Sequence, residues 1–264
     1  MGLDFSRIGI IGGNGKTGSW LARMLENRGI EVLIASRSTP LQPVDMAREC
    51  KVVVISVPIV NTVQVIKEIG PQVPREGLLM DLTSVKKGPI EAMMKYSEAQ
   101  VVGIHPLFGP NITSPDGLRI ALCPGRGEEG LNWINKTFQE ERYSTSIIEP
   151  EEHDRLMGIV QGVNHLSTLA LALCISRSGF HPERLKEIST VTFNDRFERI
   201  RALLDQPAEL FGSLIMDNPL SNEFIEDYLS AVEEFIRLAN RSNRKKFEQI
   251  YLSLQQYFNE VNET

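Results

Sequence analysis

The glycine-rich stretch near the start of the chain could bind a phosphorylated ligand in two ways. The tripeptide GKT at 15–17 ends like a P-loop, GxxxxGK[ST], which holds the phosphates of a nucleoside triphosphate. That loop needs a glycine at position 10, where this chain has Ile10. The residues GNGKTG at 13–18 instead match GxGxxG, the dinucleotide-binding pattern. An apolar run precedes this pattern and an amphipathic segment follows it, so the sequence favours a dinucleotide site.

The same pattern predicts which backbone groups hold the cofactor. Gly13 permits the tight turn, Gly15 lets the backbone approach a pyrophosphate, and Gly18 lets the following helix pack against the strand. The helix N-terminus adds free amide groups and the positive end of the helix dipole. We therefore expect cofactor contacts from the whole loop: Gly13, Asn14, Gly15, Lys16, Thr17 and Gly18.

The residues after the second apolar run discriminate between NAD and NADP. An NAD site usually has an aspartate or glutamate there, which binds the ribose 2′-hydroxyl. This chain has Ser36, Arg37 and Ser38 at that point, and no carboxylate. Arg37 can make a bidentate contact with a 2′-phosphate. The sequence favours NADP over NAD; the alternative is that Arg37 only stacks on the adenine or faces solvent.

Two further segments with reactive side chains follow apolar runs. Ser84 lies in TSVKKGP (83–89) and His105 lies in HPLFGP (105–110). In a doubly wound sheet, ligands bind beyond the carboxyl ends of the strands, where both residues would lie. An imidazole can act as a general acid or base near neutral pH, so His105 is a candidate catalytic residue with Ser84 beside it. A purely structural histidine is the alternative.

The hydrophobic pattern predicts the strands and helices that would position these segments. The first 150 residues alternate helix-like segments with seven strand-like runs, at 7–12, 31–36, 52–57, 78–83, 101–105, 119–123 and 143–149. Several runs are continuously apolar, as expected where helices cover both faces of a parallel sheet. The pattern predicts an α/β protein whose residues 1–150 form a Rossmann-type, doubly wound, mostly parallel sheet.

After Pro150 the pattern becomes helical. Apolar residues recur at spacings of three and four over 151–178, 182–204, 207–216, 220–239 and 242–261, which predicts an all-helical domain over 151–264. The stretch at 156–175 approaches the length of a membrane span, but Gln161, Asn164 and His165 interrupt it. We expect a buried helix with a polar spot rather than a membrane span.

The overall composition limits the classes of partner that the protein is expected to bind. The formal net charge is −6, which gives no positive field for nucleic acid or anionic lipid. Three cysteines without CxxC spacing give no sign of a metal site. The N-terminus has no basic and apolar leader, which fits a cytoplasmic protein. A small-molecule ligand is the expected partner.

Several motifs taken together resemble the prephenate and arogenate dehydrogenases of tyrosine biosynthesis. They are GxGxxG, SVPI (56–59), DLTSVKKGP (81–89), GIHPLFGP (103–110), EHD (152–154), Gln161 with His165, and LxxxxxMDNP (210–219). The resemblance runs from about residue 7 to 260 and keeps the order of the motifs. DLTSVKKGP followed by GIHPLFGP is far more specific than the glycine pattern alone.

The resemblance implies an oxidative decarboxylation. A hydride leaves the hydroxyl-bearing ring carbon for the nicotinamide, the hydroxyl loses its proton, and carbon dioxide departs as the ring becomes aromatic. By match to the family motifs, His105 accepts the hydroxyl proton, and Ser84 hydrogen-bonds near that imidazole and the nicotinamide. Val57 and Pro58 of SVPI would contact the cofactor. The residues at 36–38 make NADP the expected cofactor, with NAD less favoured.

The resemblance also implies a substrate site in the helical domain. His165 matches a substrate-binding histidine, and Gln161 shares its helix face; a satisfied core histidine is the alternative. The family supplies an arginine for the substrate carboxylate, which we place at Arg201, with Arg199 and Arg196 as competitors. His153 is expected to serve the helix terminus and the domain junction. Relatives dimerise through their helical domains, which predicts a homodimer here.

Other functions stay open from the sequence. The substrate is prephenate or arogenate, because no residue for an arogenate ammonium group can be assigned. A related reductase would need a base such as lysine on the long helix, and 151–178 has no lysine. A homologue acting on an amino-substituted prephenate analogue is a further alternative, as is a non-catalytic NADP-binding sensor. Ser84, His105 and His165 together disfavour the sensor.

Overall fold

One mixed sheet of seven strands, in the order β2-β1-β3-β4-β5-β6-β7, forms the N-terminal half. The computed structural model describes residues 3–109 and 114–260. The strands are β1 (Arg7–Ile11), β2 (Glu31–Ala35), β3 (Val52–Ile55), β4 (Leu78–Asp81), β5 (Gln100–Pro106), β6 (Arg119–Arg126) and β7 (Ser144–Ile147). All neighbouring pairs are parallel except β5 and β6, which are antiparallel. The predicted α/β fold class is confirmed.

Helices cover both faces of this sheet. They are α1 (Lys16–Asn27), α2 (Pro43–Glu49), α3 (Ile59–Ile69), α4 (Lys87–Tyr96) and α5 (Glu129–Glu140), with a 3-10 turn at Gly70–Gln72. Alternate residues of the continuous apolar strands enter opposite cores. Val52 and Val54 pack in one core, whereas Val53 and Ile55 pack in the other. This is why the strand sequences are continuously apolar rather than alternating.

The C-terminal half is helical in the part that the structure describes. It contains α6 (Pro150–Met157), a π-helix (Gly158–Val163), α7 (Asn164–Arg177), α8 (Pro182–Glu187), α9 (Val191–Leu204), α10 (Ala208–Met216), α11 (Ser221–Asn240) and α12 (Arg244–Glu260). The predicted helix over 182–204 is two helices, because Thr190 caps a new one by accepting a hydrogen bond from Phe193 N–H. Pro110 of the GIHPLFGP motif and residues 261–264 lie outside the described residues.

The continuous helix Pro150–Arg177 departs from expectation. At 28 residues it is long and apolar enough to cross a membrane, by length and composition alone, yet only 11% of its apolar window is buried in the chain. None of the residues of α7 is fully buried, and Leu173 is 49% exposed. The expectation of a buried helix is therefore wrong for the single chain, whose other helices leave much of this apolar surface open.

Candidate active site

A cavity of about 860 Å³ lies between the carboxyl ends of the strands and the helical half. Doubly wound sheets bind ligands at this edge because the loops after the parallel strands meet there. The first turn of α1, the ends of β4 and β5, the long helix and the corner between α9 and α10 all contribute to the wall. The polar residues on it are Lys16, Thr17, Ser84, His105, Gln161, His165 and Gln206.

His105 stands at the end of β5 and is only 3% exposed. Its Nδ1 atom lies 2.9 Å from Nε2 of His153, and Nδ1 of His153 lies 2.8 Å from Oδ1 of Asp154. A carboxylate can only accept, so His153 donates from Nδ1 and accepts at Nε2 from His105. This chain of bonds leaves the lone pair of His105 on Nε2, on the side of the cavity.

Asp154 is held in place by three groups outside its own helix. Its Oδ1 and Oδ2 atoms accept from the backbone N–H groups of Lys86 and Lys87, at 2.7 and 2.9 Å. Its backbone carbonyl accepts from Nδ2 of Asn218, at 2.7 Å. The carboxylate sits at the N-terminus of α4, where the helix dipole favours negative charge. Asp154 thus fixes α6 against the sheet and orients the imidazole of His153.

The environment of His105 keeps its ring neutral. Burial lowers the pKa of His105 well below its ordinary value, and the nearby His153 and the Lys86 ammonium act in the same direction. Lys86 is fully buried and donates to Asp81 Oδ2 at 2.6 Å and to the Ile104 carbonyl at 3.0 Å. A neutral imidazole with a free lone pair can accept a proton from a ligand.

Gln161 reaches the same lone pair from the long helix. Its Nε2 lies 3.3 Å from Nε2 of His105. Gln161 belongs to the π-helical segment, which presses closely on α11: a Cβ on Gly158 would lie 2.7 Å from a ring carbon of Phe224. Such π-segments are frequent at functional sites. The glycine lets this segment lie close to α11, and the wide turn contributes Gln161 to the cavity wall.

The role of His153 differs from the sequence prediction, which is that it serves the helix terminus and the domain junction. The structure instead places it in contact with His105, 48 residues earlier in the chain. The motif EHD gave a signal in principle, since a histidine followed by an aspartate after Pro150 matched the family. Ser84 lies on the cavity wall as expected, but the hydrogen bonds of the His105 ring go to His153 and Gln161 among the described residues.

The arginines expected to bind a carboxylate lie elsewhere. Arg201 is 60% exposed and its Nη1 lies 3.4 Å from a carboxylate oxygen of Glu198. Arg199 and Arg196 line a separate small cleft with Thr168. The helix turns Phe197 and Ile200 inward, so Arg201, one residue further, is rotated about 100° away from that face. Neither Arg199 nor Arg201 is among the described residues that line the cavity.

His165 does lie on the cavity wall. Its ring packs edge-on against Phe211 with 5.0 Å between ring centroids. Half-burial lowers the pKa of His165 below its ordinary value. Gln161 and His165 therefore both line the cavity; their four-residue spacing predicted that they share one helix face.

The glycine loop fits a dinucleotide. Gly12 has a φ of 78°, and a Cβ there would overlap the Ser56 carbonyl oxygen, so Gly12, rather than Gly13, makes the tight turn. A Cβ on Gly18 would lie 2.7 Å from the Gly12 carbonyl oxygen, which explains the close packing of α1. Gly15 caps α1 without a side chain, so the first-turn amides stay open to a phosphate.

The loop after β2 forms a cluster of hydroxyl groups beside this turn. Gly12 N–H donates to the Ala35 carbonyl at 2.8 Å, which sets the end of β2 against the glycine loop. The Ser36 and Ser38 hydroxyls lie 3.0 Å apart, and Thr39 Oγ1 accepts from Ser36 N–H at 2.7 Å. Arg37 is exposed beside them. Thr39 is not among the residues predicted from the sequence, although a hydroxyl residue that closes a turn is a recognisable signal.

Val57 and Pro58, between β3 and α3, lie next to the glycine turn: a Cβ on Gly12 would approach a methyl group of Val57 at 3.3 Å. A dinucleotide on the glycine loop would therefore run past the end of β3. Among the described residues, no group of three or more histidine, cysteine, aspartate or glutamate side chains could hold a metal ion.

Comparisons with known proteins match both halves of the chain. Residues 27–139 match the family model described as "Prephenate dehydrogenase, nucleotide-binding domain", and residues 149–256 match "Prephenate dehydrogenase, dimerization domain". The chain is 28% identical to a "Probable arogenate/prephenate dehydrogenase" of Methanocaldococcus jannaschii, over 95% of this chain and 60% of that protein. It is 29% identical to the "T-protein" of Haemophilus influenzae, over 98% of this chain and 69% of that protein.

Solved structures share the fold. A prephenate dehydrogenase from A. aeolicus, in complex with hydroxyphenyl propionate and NAD+, has a TM-score of 0.77 at 17% identity, covering 99% of this chain and 100% of that one. An arogenate dehydrogenase from Synechocystis has a TM-score of 0.74 at 18% identity, covering 97% and 99%. The two family matches together span most of the sequence, and the chain belongs to the prephenate dehydrogenase family.

Proposed function

We propose that this chain catalyses the NADP-dependent oxidative decarboxylation of prephenate to 4-hydroxyphenylpyruvate. The observation that carries the proposal is the position of His105 on the cavity wall, with its Nδ1 atom 2.9 Å from Nε2 of His153, which is in turn bonded to Asp154. The same cavity begins at the glycine loop, so a hydride acceptor and a proton acceptor would meet in it. The curated relatives span more than this chain, which covers 60% of the M. jannaschii protein.

The residues have distinct tasks in this reaction. NADP, when bound, supplies the acceptor for the hydride that leaves the hydroxyl-bearing ring carbon. His105 accepts the hydroxyl proton at Nε2, and the electron pair of the bond to the ring carboxylate enters the ring as carbon dioxide leaves; the proton then returns from His105 to the phenolate oxygen of the product. Gln161, 3.3 Å from that nitrogen, would turn its amide toward the hydroxyl oxygen as the hydroxyl takes its place.

His153 and Asp154 support the charge that His105 gains. Once protonated, His105 donates from Nδ1 to His153, which donates in turn to the Asp154 carboxylate. The negative charge is fixed before the reaction by two backbone amides, so it needs no rearrangement when the imidazolium forms. The pair therefore holds the reactive tautomer and stabilises the product of proton transfer, as a carboxylate does for the histidine of a catalytic triad.

The charges of the cavity favour prephenate over arogenate. Arogenate carries an ammonium group that needs a carboxylate or several carbonyl oxygens when it leaves water. No aspartate or glutamate is among the described residues that line the cavity. The keto group of prephenate makes no such demand.

The loop after β2 favours NADP. Replacing Arg37 by glutamine is expected to raise the KM for NADP about tenfold or more and to leave the KM for NAD nearly unchanged, because only NADP carries the 2′-phosphate. Steady-state kinetics with both cofactors measures the change. Arg48, exposed on α2 and paired with Asp45, offers a control: Arg48→Gln should leave both values unchanged. Equal effects of Arg37→Gln on NAD and NADP would contradict this role.

The open apolar surface favours a homodimer through the helical half, the part that the family model describes as a dimerization domain. Sedimentation at micromolar concentration should give about twice the mass of 29.6 kDa. Leu173→Arg on α7 should shift the protein toward monomer, because it places a charge on surface that a second copy would cover. Val60→Arg, at a 68% exposed position on α3, is the control that should remain dimeric. A wild-type monomer would contradict the proposal.

The test of the function is the initial rate of cofactor reduction with prephenate or arogenate, each with NADP or NAD. We expect prephenate with NADP to give the highest kcat/KM. Turnover of arogenate alone would overturn the substrate assignment. Binding of NADP without turnover of either substrate would overturn the enzymatic proposal and favour an NADP-binding sensor.

A further inference from the structure

The wall of the cavity carries one permanent positive charge among its described residues, that of Lys16. The imidazoles of His105 and His165 add no charge near neutral pH, because burial lowers the pKa of each. Arg199 and Arg201 do not line the cavity. An anionic ligand in the cavity would therefore find its counter-charge at Lys16.

Lys16 is the first residue of α1 and is exposed at its N-terminus. The first turn of α1 has no acidic residue, so the positive end of the helix dipole adds to the charge of the ammonium group. The ion pairs among the described residues engage Lys86 and Arg201 but not Lys16. Its side chain is a cation on a flexible stem, able to meet a ligand anion as a point charge.

We propose that Lys16 binds the side-chain carboxylate of the substrate, an inference that rests on the proposed function. Prephenate carries two carboxylates, one on the ring and one on the side chain. A cation at the ring carboxylate would stabilise the charge that must disappear as carbon dioxide leaves, and would slow the reaction. The side-chain carboxylate keeps its charge throughout, so a cation there binds the ground state and the transition state equally.

The competing partner for Lys16 is the cofactor pyrophosphate. The glycine loop already offers this group the first-turn amides of α1, as such loops do. Lys16 also lines the cavity that contains Ser84 and His105, which would hold the ring of the substrate. The two roles predict different losses, since a pyrophosphate contact affects cofactor affinity and a substrate contact affects recognition of a carboxylate.

The role also bears on specificity. A lysine beside the side chain of the substrate attracts its carboxylate and repels the ammonium group that arogenate carries next to that carboxylate.

In Lys16→Met, the KM for prephenate should rise about tenfold while kcat stays within about threefold, because the lysine would bind the ground state and the transition state equally.

The decisive experiment is a binding measurement on the NADP-loaded protein, which needs no turnover. Titration calorimetry would compare 3-(4-hydroxyphenyl)propionate with the neutral alcohol 3-(4-hydroxyphenyl)propan-1-ol. The wild type should bind the propionate about tenfold more tightly than the alcohol, and Lys16→Met should bind both alike. Lys16→Arg should restore the preference. Lys136→Met, at an exposed lysine of α5, should behave as the wild type.

Two results would overturn the proposal. One is a carboxylate preference that survives in Lys16→Met, which would place the charge on another residue, such as one from a second copy of the chain. The other is a loss of NADP affinity in Lys16→Met with the preference intact, which would assign the lysine to the pyrophosphate. Failure of the proposed function is seen separately, as a wild type that does not turn over prephenate or arogenate.

Discussion

His105→Asn is expected to lower kcat by about 10²–10⁴-fold, the range for removal of a general base. Asparagine is about the right size to keep a polar contact with His153, but it has no basic nitrogen at the position of Nε2, so the hydroxyl proton must leave without an acceptor. The affinity for NADP should stay within about threefold, because the glycine loop is untouched. Steady-state rates with saturating prephenate and NADP, together with a cofactor titration, measure both quantities.

His181→Asn is the matched control for this variant. His181 is exposed at the N-terminus of α8, where its Nδ1 accepts from Glu183 N–H, and the same chemical change there should leave kcat unaltered. Since His105 is buried, thermal unfolding of His105→Asn must also be measured, to establish that the variant is folded at the assay temperature. A folded His105→Asn protein with more than a tenth of the wild-type kcat would contradict the assignment of His105 as the base.

Asp154→Asn is expected to lower kcat by about 10²-fold or more, although its side chain does not line the cavity. The carboxylate accepts from His153 and from two backbone amides, and an asparagine can offer only one acceptor oxygen to these donors. His153 then loses its fixed tautomer, and the His105 imidazolium loses its counter-charge. Asp154 is a positioning residue, so its test needs a readout that a merely structural role would not move.

That readout is the pH dependence of kcat/KM, which reports ionisations of the free enzyme. In the wild type, burial lowers the pKa of His105, so the activity should fall only below the ordinary histidine range, as the base becomes protonated at lower pH. Loss of the Asp154 carboxylate makes the imidazolium less stable, which lowers the pKa further and moves the acid limb to still lower pH. A structural role would reduce activity without moving this limb.

Glu151→Gln is the control for Asp154→Asn. Glu151 lies on the same helix and pairs with Lys87 Nζ at 3.0 Å, so the variant removes a carboxylate from the same junction without touching His153. Its activity and its pH profile should match those of the wild type, since an exposed ion pair contributes little. An equal loss in both variants, or an acid limb that stays fixed in Asp154→Asn, would show that the junction and not the histidine pair is responsible.

Structural features that depend on residues close together in the sequence could be predicted from it. Apolar runs such as those of β3 and β4 are long, continuous and separated by helical segments, which leaves few alternatives to a parallel sheet. The glycine loop carries a spacing that only a strand, turn and helix satisfy, although the choice of Gly12 over Gly13 for the positive φ angle depends on the close approach of Ser56. Ser84 and His105 could be placed near each other because both follow parallel strands.

Structural features that depend on contacts between residues far apart in the sequence could not be predicted from it. The contact between His105 and His153 joins β5 to α6, and no periodicity within either element reveals it. Whether an arginine of α9 points toward the cavity depends on which residues of the helix point inward. An error of one residue in this assignment changes the direction of the side chain around the helix axis by about 100°. The π-helix at Gly158–Val163 has no period that the sequence pattern displays. The exposed apolar surface of α7 shows that an apolar sequence does not reveal whether the same chain or another one will cover it.

The most direct test of the central claim is a product analysis after the reaction of prephenate with NADP and the wild-type protein. The proposed reaction gives equal amounts of reduced cofactor, carbon dioxide and 4-hydroxyphenylpyruvate, and about 10²–10⁴-fold less of each in the same time with His105→Asn. Carbon dioxide release without cofactor reduction, or full product formation by a folded His105→Asn protein, would contradict it.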